Sequence, residues 1–399
     1  MNVKIEPSEL KGSICAPPSK SYAHRLLICS ALAEGKSIVS GISGSDDMKA
    51  TLGCMQALGA KITQEGTSAE VRGISKKCTD VPVLDCNESG STLRFFIPIS
   101  LVSADKAVFK GTQRLIERGV GIYEEMLGGF GIAFDKKPDS ITVSGSLKAG
   151  SYTMRGDVSS QFASGMLFAL PLLAGDSVLT VTEPVESRSY IDITIDALKT
   201  FGVITEENPK NVFRIKGGQS YSAKEIAAEG DWSNAAFLYG FNSIGAKLEI
   251  KGLNHESIQG DMACTGMFEA LNGPSPEIDI SNCPDLGPVL FAAAAAKNGA
   301  EFTGIRRLRI KESDRAQAMA QELLKFGIEC EIKENVMIVK KGVLKKPDEI
   351  LSGHNDHRIV MSMALLCSIT GGEIEGAQAV KKSWPGFFEE MAELGLKWR

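Results

Sequence analysis

The chain has 399 residues, 43% hydrophobic and 23% charged, with a net charge of −5 at neutral pH. That length predicts two or three domains with sizeable cores, and the composition excludes both a disordered chain and a small stapled scaffold. The acidic balance excludes a general nucleic-acid binder, so any anion the chain holds must be met by locally gathered Lys and Arg.

Nine cysteines at irregular spacing, with no Cys-x-x-Cys pair, predict reduced thiols in a reducing compartment. The four histidines do not approach zinc-site spacing with any cysteine, so no metal is expected. Residues 1–10 mix charged and apolar side chains, unlike a signal peptide, and the apolar stretches 166–174 and 289–296 are too short to span a bilayer. A cytoplasmic protein with no membrane association is the expectation.

Along the chain, a helical stretch ending in glycine and followed by an alternating strand recurs. Segment 46–59 leads into a strand at 60–64, and 117–131 leads into 132–135. Segment 190–202 leads into 203–205, with a further strand at 212–216; segments 262–273, 314–327 and 386–395 repeat the plan. Gly59, Gly131, Gly202 and Gly273 fall about 70 residues apart, and Gly327 and Gly395 follow. Each glycine is expected to close its helix with a positive φ. In the first helix Met48, Leu52, Met55 and Leu58 mark one buried face. Between these lie more apolar helices at 26–32, 93–102, 161–173, 235–239, 289–296 and 359–366. Six mixed α/β units, three plus three, predict two similar domains, with the polar, Gly-rich 217–230 as a crossover.

The apolar helices begin in clusters of small polar residues. Pro17-Pro18-Ser19-Lys20-Ser21 precedes a helix carrying Arg25, and Glu88-Ser89-Gly90-Ser91-Thr92 precedes one carrying Arg94. Ser159-Ser160-Gln161, Gly230-Asp231-Trp232-Ser233, Pro284-Asp285-Leu286-Gly287 and His354-Asn355-Asp356-His357-Arg358 follow suit. Capping accounts for Ser, Asn and Asp at such places. It does not account for cations, which a helix N-terminus disfavours by roughly 0.3–1 kcal/mol each. Yet Lys20, Arg25, Arg94, Lys311, Arg315 and Arg358 all fall in or near first turns. A bound anion relieves them together, since helix-end N–H groups and guanidinium forks suit phosphate and carboxylate. Several converging ends imply a multiply anionic substrate; a solvated charged rim is the plainer alternative.

Neither Gly35-Lys36-Ser37 nor Lys20-Ser21 is a nucleotide P-loop, because Ser30 in one case and Ile14 and Ser19 in the other replace the required glycines. Gly119-Val120-Gly121 lacks the third glycine of a dinucleotide fingerprint. The candidate acid–base residues are Asp285, starting a helix after a Pro-rich turn, and Glu312, between Lys311 and Arg315. Of His24, His354 and His357, the last is the best candidate for a site.

The motifs together carry a resemblance. Pro18-Ser19-Lys20-Ser21-Tyr22-Ala23-His24-Arg25, Ser89-Gly90-Ser91-Thr92-Leu93-Arg94, Gly111-Thr112-Gln113-Arg114 and Val158-Ser159-Ser160-Gln161 occur in that order. Ser187 with Tyr190-Ile191-Asp192-Ile193-Thr194, Lys311-Glu312-Ser313-Asp314-Arg315, Asn355-Asp356-His357-Arg358 and Lys382-Ser383-Trp384-Pro385 follow. Over nearly its whole length the chain resembles the EPSP synthase family of enolpyruvyl transferases.

The resemblance implies a mixed α/β fold of two similar domains, each of three βαβαββ units, the inside-out α/β barrel of the enolpyruvyl transferases. It implies domains at 19–228 and at 1–18 plus 229–399, the N-terminal strand completing the second, with the active site in the cleft between them. The implied reaction moves the enolpyruvyl group of phosphoenolpyruvate to the 5-hydroxyl of shikimate 3-phosphate, with no cofactor and no metal, in a monomer.

Residue by residue, the resemblance implies that Lys20, Ser21, Arg25, Ser159, Ser160, Gln161, Ser187 and Tyr190 bind shikimate 3-phosphate. Gly90, Arg114, Gln161, Arg315, Arg358 and Lys382 would surround phosphoenolpyruvate, with Lys20 reaching both substrates. Asp285, Glu312 and Lys20 would be the catalytic residues, Asp285 taking the hydroxyl proton and Glu312 protonating the methylene, with Asp285 and its neighbour Lys311 also binding shikimate 3-phosphate. Ser91, Arg94 and His357 would support the site. Two departures stand out: Glu88 where the family has an asparagine, and Arg307 where some members have another. A transferase using UDP-N-acetylglucosamine is the nearest rival, but its usual Lys-Asn pair reads Lys20-Ser21 here, and 110–120 holds no cysteine. A non-catalytic sensor of anionic metabolites would dispense with Asp285 or Glu312.

Overall fold

A computed structural model describes residues 1–75 and 77–399. The chain divides into two compact units, Lys20–Ala228 and Met1–Ser19 with Glu229–Arg399. Each has its own apolar core.

The Lys20–Ala228 unit holds three four-stranded sheets built to one plan. In chain order of helices, their strand orders are Glu225–Ala227, Lys36–Ser40, Ser68–Arg72, Lys61–Glu65; then Val83–Asp85, Lys106–Lys110, Ser140–Ser144, Ala133–Lys137; then Ser151–Arg155, Ser177–Thr182, Val212–Ile215, Thr205–Glu207. The first two strands of each sheet are parallel and the others antiparallel. Parallel neighbours need a crossover, and the apolar helices Gly90–Ser103 and Ser160–Ala169 supply it in the second and third sheets. Those helices, with Lys20–Leu32, are buried on nearly every side, which is why they read as apolar rather than amphipathic. The edge strand Glu225–Ala227 of the first sheet comes from the far end of the unit, through the polar segment expected to cross over.

Two sheets of the second unit share the plan. One runs Glu277–Asp279, Ala300–Thr303, Val336–Val339, Cys330–Ile332, and the other Leu351–Ser352, Gly372–Glu375, Asn2–Glu6, Lys397–Trp398. The N-terminal strand thus takes the third place in the last sheet, antiparallel to both neighbours. Among the described residues the remaining sheet is abbreviated to Lys11–Cys15 beside a parallel Lys247–Lys251.

That abbreviation corrects one expectation. Gly59, Gly131, Gly202, Gly327 and Gly395 have positive φ, as expected of helix ends that turn back into a strand, but Gly273 does not. No antiparallel pair follows the helix Cys264–Ala270 among the described residues, and the left-handed turn falls instead at Ser275, φ 54°. The expected helix over 117–131 also divides, into Gln113–Arg118 and Gly121–Gly128, with Gly119 at φ 73° between them.

The helices Gly90–Ser103 and Ser160–Ala169 pack closely at Gly165, where a Cβ would fall on the Tyr123 hydroxyl and 2.5 Å from the Arg94 carbonyl oxygen. That hydroxyl lies 2.8 Å from the Arg94 and 2.9 Å from the Phe162 carbonyl oxygens, bonding the two helices beside their functional ends. Gly165→Ala is therefore expected to lower stability by about 1–3 kcal/mol through overpacking. Gly53, an exposed glycine inside the helix Asp46–Ala57 with open space around it, gives the contrast. Gly53→Ala is expected to raise stability by about 0.5–1 kcal/mol. Urea unfolding of the two variants measures both signs.

Candidate functional site

In the Lys20–Ala228 unit the candidate residues lie at the starts of four helices, Lys20–Leu32, Gly90–Ser103, Ser160–Ala169 and Arg188–Thr200, and Arg114 lies on the short helix Gln113–Arg118. Lys20, the first residue of Lys20–Leu32, pairs with Asp47 at 2.7 Å. Arg25, one turn on, is buried, and its guanidinium tethers several elements. Its Nε donates to Thr194 Oγ1 (2.8 Å), Nη1 to the Ser21 carbonyl (2.8 Å), and Nη2 to the Tyr190 carbonyl (2.8 Å) and Ser164 Oγ (3.4 Å). Phe95 lies beneath it, 5.1 Å from ring centre to guanidinium carbon. Burial draws the Arg25 guanidinium down to about 10, still fully charged at neutral pH.

Ser159 caps the helix Ser160–Ala169 by accepting from the Gln161 N–H. Gln161 then joins two helices: its Oε1 accepts from Arg94 Nη1 at 2.6 Å, and its Nε2 donates to Ser91 Oγ at 3.0 Å. Arg94 stacks over Phe162 at 4.9 Å. Ser187 precedes the helix Arg188–Thr200 in a left-handed conformation, φ 54°. Gly90, the first residue of Gly90–Ser103, lies under a cation: a Cβ there would fall 2.9 Å from Arg118 Nη2. Arg118 ends the short helix Gln113–Arg118, which also carries Arg114, and Glu88 is half-buried just before the Ser89 cap.

Behind these helix starts runs a buried hydroxyl chain. Thr92 donates to Ser89 Oγ at 2.7 Å, so Thr51 donates to Thr92 at 2.8 Å and the His24 Nδ1–H donates to Thr51 at 2.7 Å. Burial, then Lys20 and Arg25, hold His24 well below its ordinary value, so the ring is neutral. A histidine that resists protonation only when folded takes up its proton on unfolding. Stability from this group is therefore present above its unfolded value near 6.5 and lost as pH falls below it. The expected slope is at most about 1.4 kcal/mol per pH unit. Unfolding free energies of wild type and His24→Asn compared from neutral to acid pH should show a shallower acid loss in the variant.

In the second unit the candidates form one buried ionic cluster. Asp285 lies in the turn Pro284–Leu286, where the Pro-rich sequence starts the apolar helix Gly287–Ala295. Its carboxylate accepts from Lys311 Nζ (3.0 Å), Arg315 Nη1 (2.8 Å) and Arg358 Nη2 (3.1 Å). Burial alone would raise Asp285, but Arg358, Lys311 and Arg315 outweigh it and hold the carboxyl well below the usual range. Lys311 is pulled down to about 8, by burial first and also by Arg307 and Arg315, against the lift from Asp285. Arg307, the departure noted in the sequence, is thus a buried cation acting on Lys311.

Arg315 is 1% exposed and bridges three carboxylates: Asp285, Glu312 through Nη2 at 2.7 Å, and Asp356 through Nε at 2.8 Å. Asp356, fully buried, caps the helix His357–Thr370 through the Arg358 N–H and also accepts from Ser313 Oγ. Arg358 donates to the carbonyls of Ser233 and Asp285 and to Ser233 Oγ, while its buried Nε has no partner among the described residues. The Asp231 cap of Trp232–Ser243 positions that serine. His357 is buried, its Nδ1 3.8 Å from Asp356 Oδ1, and Lys382 Nζ donates to the Asn355 carbonyl at 2.5 Å.

The structure therefore links Lys311, Glu312, Arg315, Arg358 and Asp285 directly, and separately links Ser91, Arg94 and Gln161, and Arg25 with Ser21 and Tyr190. Sequence reading missed Asp47, Asp356 and Arg118. The two aspartates carried no signal beyond that of ordinary helix-start residues, and Arg118 is placed only by its approach to Gly90. Asp356→Ala strips Arg315 of a fully buried partner, and a loss of roughly 3–5 kcal/mol in unfolding free energy is expected. Chemical denaturation measures it directly.

Repeated α/β units whose helix starts carry cations, with Asp285, Glu312 and Asp356 sharing one buried guanidinium, are features suited to holding anions. The sequence matches the EPSP synthase (3-phosphoshikimate 1-carboxyvinyltransferase) family over residues 5–391, and the chain belongs to that family. A protein of Clostridium kluyveri named 3-phosphoshikimate 1-carboxyvinyltransferase is 39% identical over 414 residues, covering 98% of this chain and 97% of the relative. One of the same name from Clostridium botulinum is 40% identical over 419 residues, with 98% and 97% covered. The solved EPSP synthase of Acinetobacter baumannii shares the fold, with a TM-score of 0.81 at 24% identity, covering 100% of this chain and 99% of that one. Among the described residues, no helix is long and apolar enough to cross a membrane.

Proposed function

We propose that this chain transfers the 1-carboxyvinyl group of phosphoenolpyruvate to the 5-hydroxyl of shikimate 3-phosphate, releasing phosphate, as a cytoplasmic monomer. The observation that carries the reading is the Asp285–Arg315–Glu312 cluster, an acid–base pair on one buried guanidinium, in a chain matching the family over residues 5–391. Both substrates are multiply anionic, which fits cations at the helix starts of an acidic chain.

Asp285, held ionised, takes the proton of the 5-hydroxyl as its oxygen bonds to the central carbon of phosphoenolpyruvate. Glu312, protonated once phosphoenolpyruvate takes over its Arg315 partner, gives that proton to the methylene carbon, which becomes a methyl group, and a tetrahedral intermediate results. In the second step a methyl proton returns to Glu312, the double bond re-forms, and phosphate leaves with the proton that Asp285 took, so both carboxyl groups are restored. A carboxylate held so low is a poor base until its cations are engaged elsewhere. An incoming phosphoenolpyruvate drawing on Arg315 and Arg358 weakens two of the three ion pairs to Asp285 and raises its proton affinity. The unpartnered Arg358 Nε supports an anion at that place. Lys20, Gly90, Arg114, Gln161 and Lys382 are assigned to phosphoenolpyruvate on the family resemblance.

Ser21, Arg25, Ser159, Ser160, Gln161, Ser187, Tyr190 and Lys311 are assigned to shikimate 3-phosphate. Arg25 has five N–H donors and four are held internally, which leaves one Nη1 hydrogen for a ligand. Ser91, Arg94 and His357 act as supports. Both acids needed for turnover are present, as a sensor would not require, and the family match favours shikimate 3-phosphate over a nucleotide sugar.

Purified protein should release phosphate from phosphoenolpyruvate with shikimate 3-phosphate and not with UDP-N-acetylglucosamine. Release only with the nucleotide sugar would overturn the acceptor, and release with neither would overturn the reaction. Asp285→Asn and Glu312→Gln are each expected to lower turnover by about 10²–10⁴-fold while binding stays within about tenfold. Steady-state rates and calorimetric titration separate the two effects.

A further inference from the structure

Glu322 takes no part in the chemistry above, yet its side chain is 2% exposed and fully engaged. It lies on the helix Arg315–Lys325, two turns beyond Arg315 and so on the same face. Its Oε2 accepts from the Ser352 N–H at 2.9 Å and its Oε1 meets His354 Nε2 at 2.8 Å, while Lys325 Nζ reaches Oε2 at 2.9 Å and also donates to the Ile350 carbonyl. Because a carboxylate only accepts, His354 presents Nε2–H to it. Burial alone would raise Glu322, but the bonds from His354, Lys325 and Ser352 hold it below its ordinary value.

This anchored segment is unusual. His354 and Asn355 are consecutive non-glycine residues with φ of 47° and 51°, a conformation that persists only where surroundings enforce it. The residues it delivers are those assigned above: the Asn355 carbonyl holds Lys382, and Asp356 caps the helix bearing Arg358 and binds Arg315.

We infer that the Glu322–His354 pair is a positioning device that sets the strained 353–356 turn and thereby places Lys382 and Arg358 for phosphoenolpyruvate. Neither residue touches substrate; both act through the turn. The assignment of that substrate rests on the functional reading above.

The test uses Glu322→Gln, which keeps the shape and removes the charge, and His354→Asn, which tolerates a left-handed φ but cannot reach Glu322. In both, KM for phosphoenolpyruvate is expected to rise about tenfold with KM for shikimate 3-phosphate unchanged within about twofold. The double variant should lose less than the sum of the two single ones, since the Glu322–His354 bond is weakened or removed in each. Backbone hydrogen exchange should quicken at 352–358 and 377–382 and not elsewhere in the unit. A parallel rise in both KM values, additive effects, harmless His354→Asn, or exchange unchanged at 352–358 overturns the inference. Absence of turnover in the wild type would overturn the functional reading instead, and the exchange pattern still decides the positioning claim.

Discussion

Arg315 is the group on which the second unit's chemistry depends. A guanidinium buried to 1% exposure is tolerable only if its charge and donors are met. Here three carboxylates from three different segments meet them. The same requirement that keeps Arg315 folded fixes the distance between Asp285 and Glu312, the two groups proposed to move protons. Stability and reactivity are thus set by one ion-pair network, which explains why Asp285 is held so far from the range of an efficient base. The three cations Arg315, Lys311 and Arg358 are matched by the three carboxylates Asp285, Glu312 and Asp356, so an incoming anion would compete with those acids for them.

The Lys20–Ala228 unit solves a different problem. Its cations sit at helix starts, where the backbone already presents positive charge. Arg25 resolves the conflict by turning inward onto carbonyl and hydroxyl oxygens and onto Phe95, and Arg94 by engaging Gln161 and Phe162. Lys20 resolves it with Asp47. The helix pair joined at Gly165 makes this possible, since close backbone approach brings Ser91, Arg94 and Gln161 within bonding reach.

Much of this was legible in the sequence, for physical reasons. Period and glycine placement located the recurring helices, and the cations read as lying at helix starts do lie there, because both are local signals. Gly273 misled because it has the right neighbours but no following strand pair to turn toward. Asp356 and Asp47 were invisible as ion-pair partners, since a carboxylate at a helix start looks the same whether it caps only its own backbone or also receives a cation from 41 or 27 residues away. His357 drew notice for its motif, whereas His354, two strained residues upstream of the cap, holds the more demanding geometry.

The strand Asn2–Glu6 has a consequence for how the molecule is made. It sits between Gly372–Glu375 and Lys397–Trp398, and Lys4 exchanges both backbone hydrogen bonds with Arg399. The second unit therefore cannot close its last sheet until residue 399 has left the ribosome, however early its first strand emerged. The Lys20–Ala228 unit is continuous in sequence and has no such wait. During synthesis the leading segment must stay uncommitted while about two hundred residues fold behind it. Because Asn2–Glu6 already lies beside Lys397–Trp398, the second unit should accept a peptide link between those strands and a new opening in a surface loop.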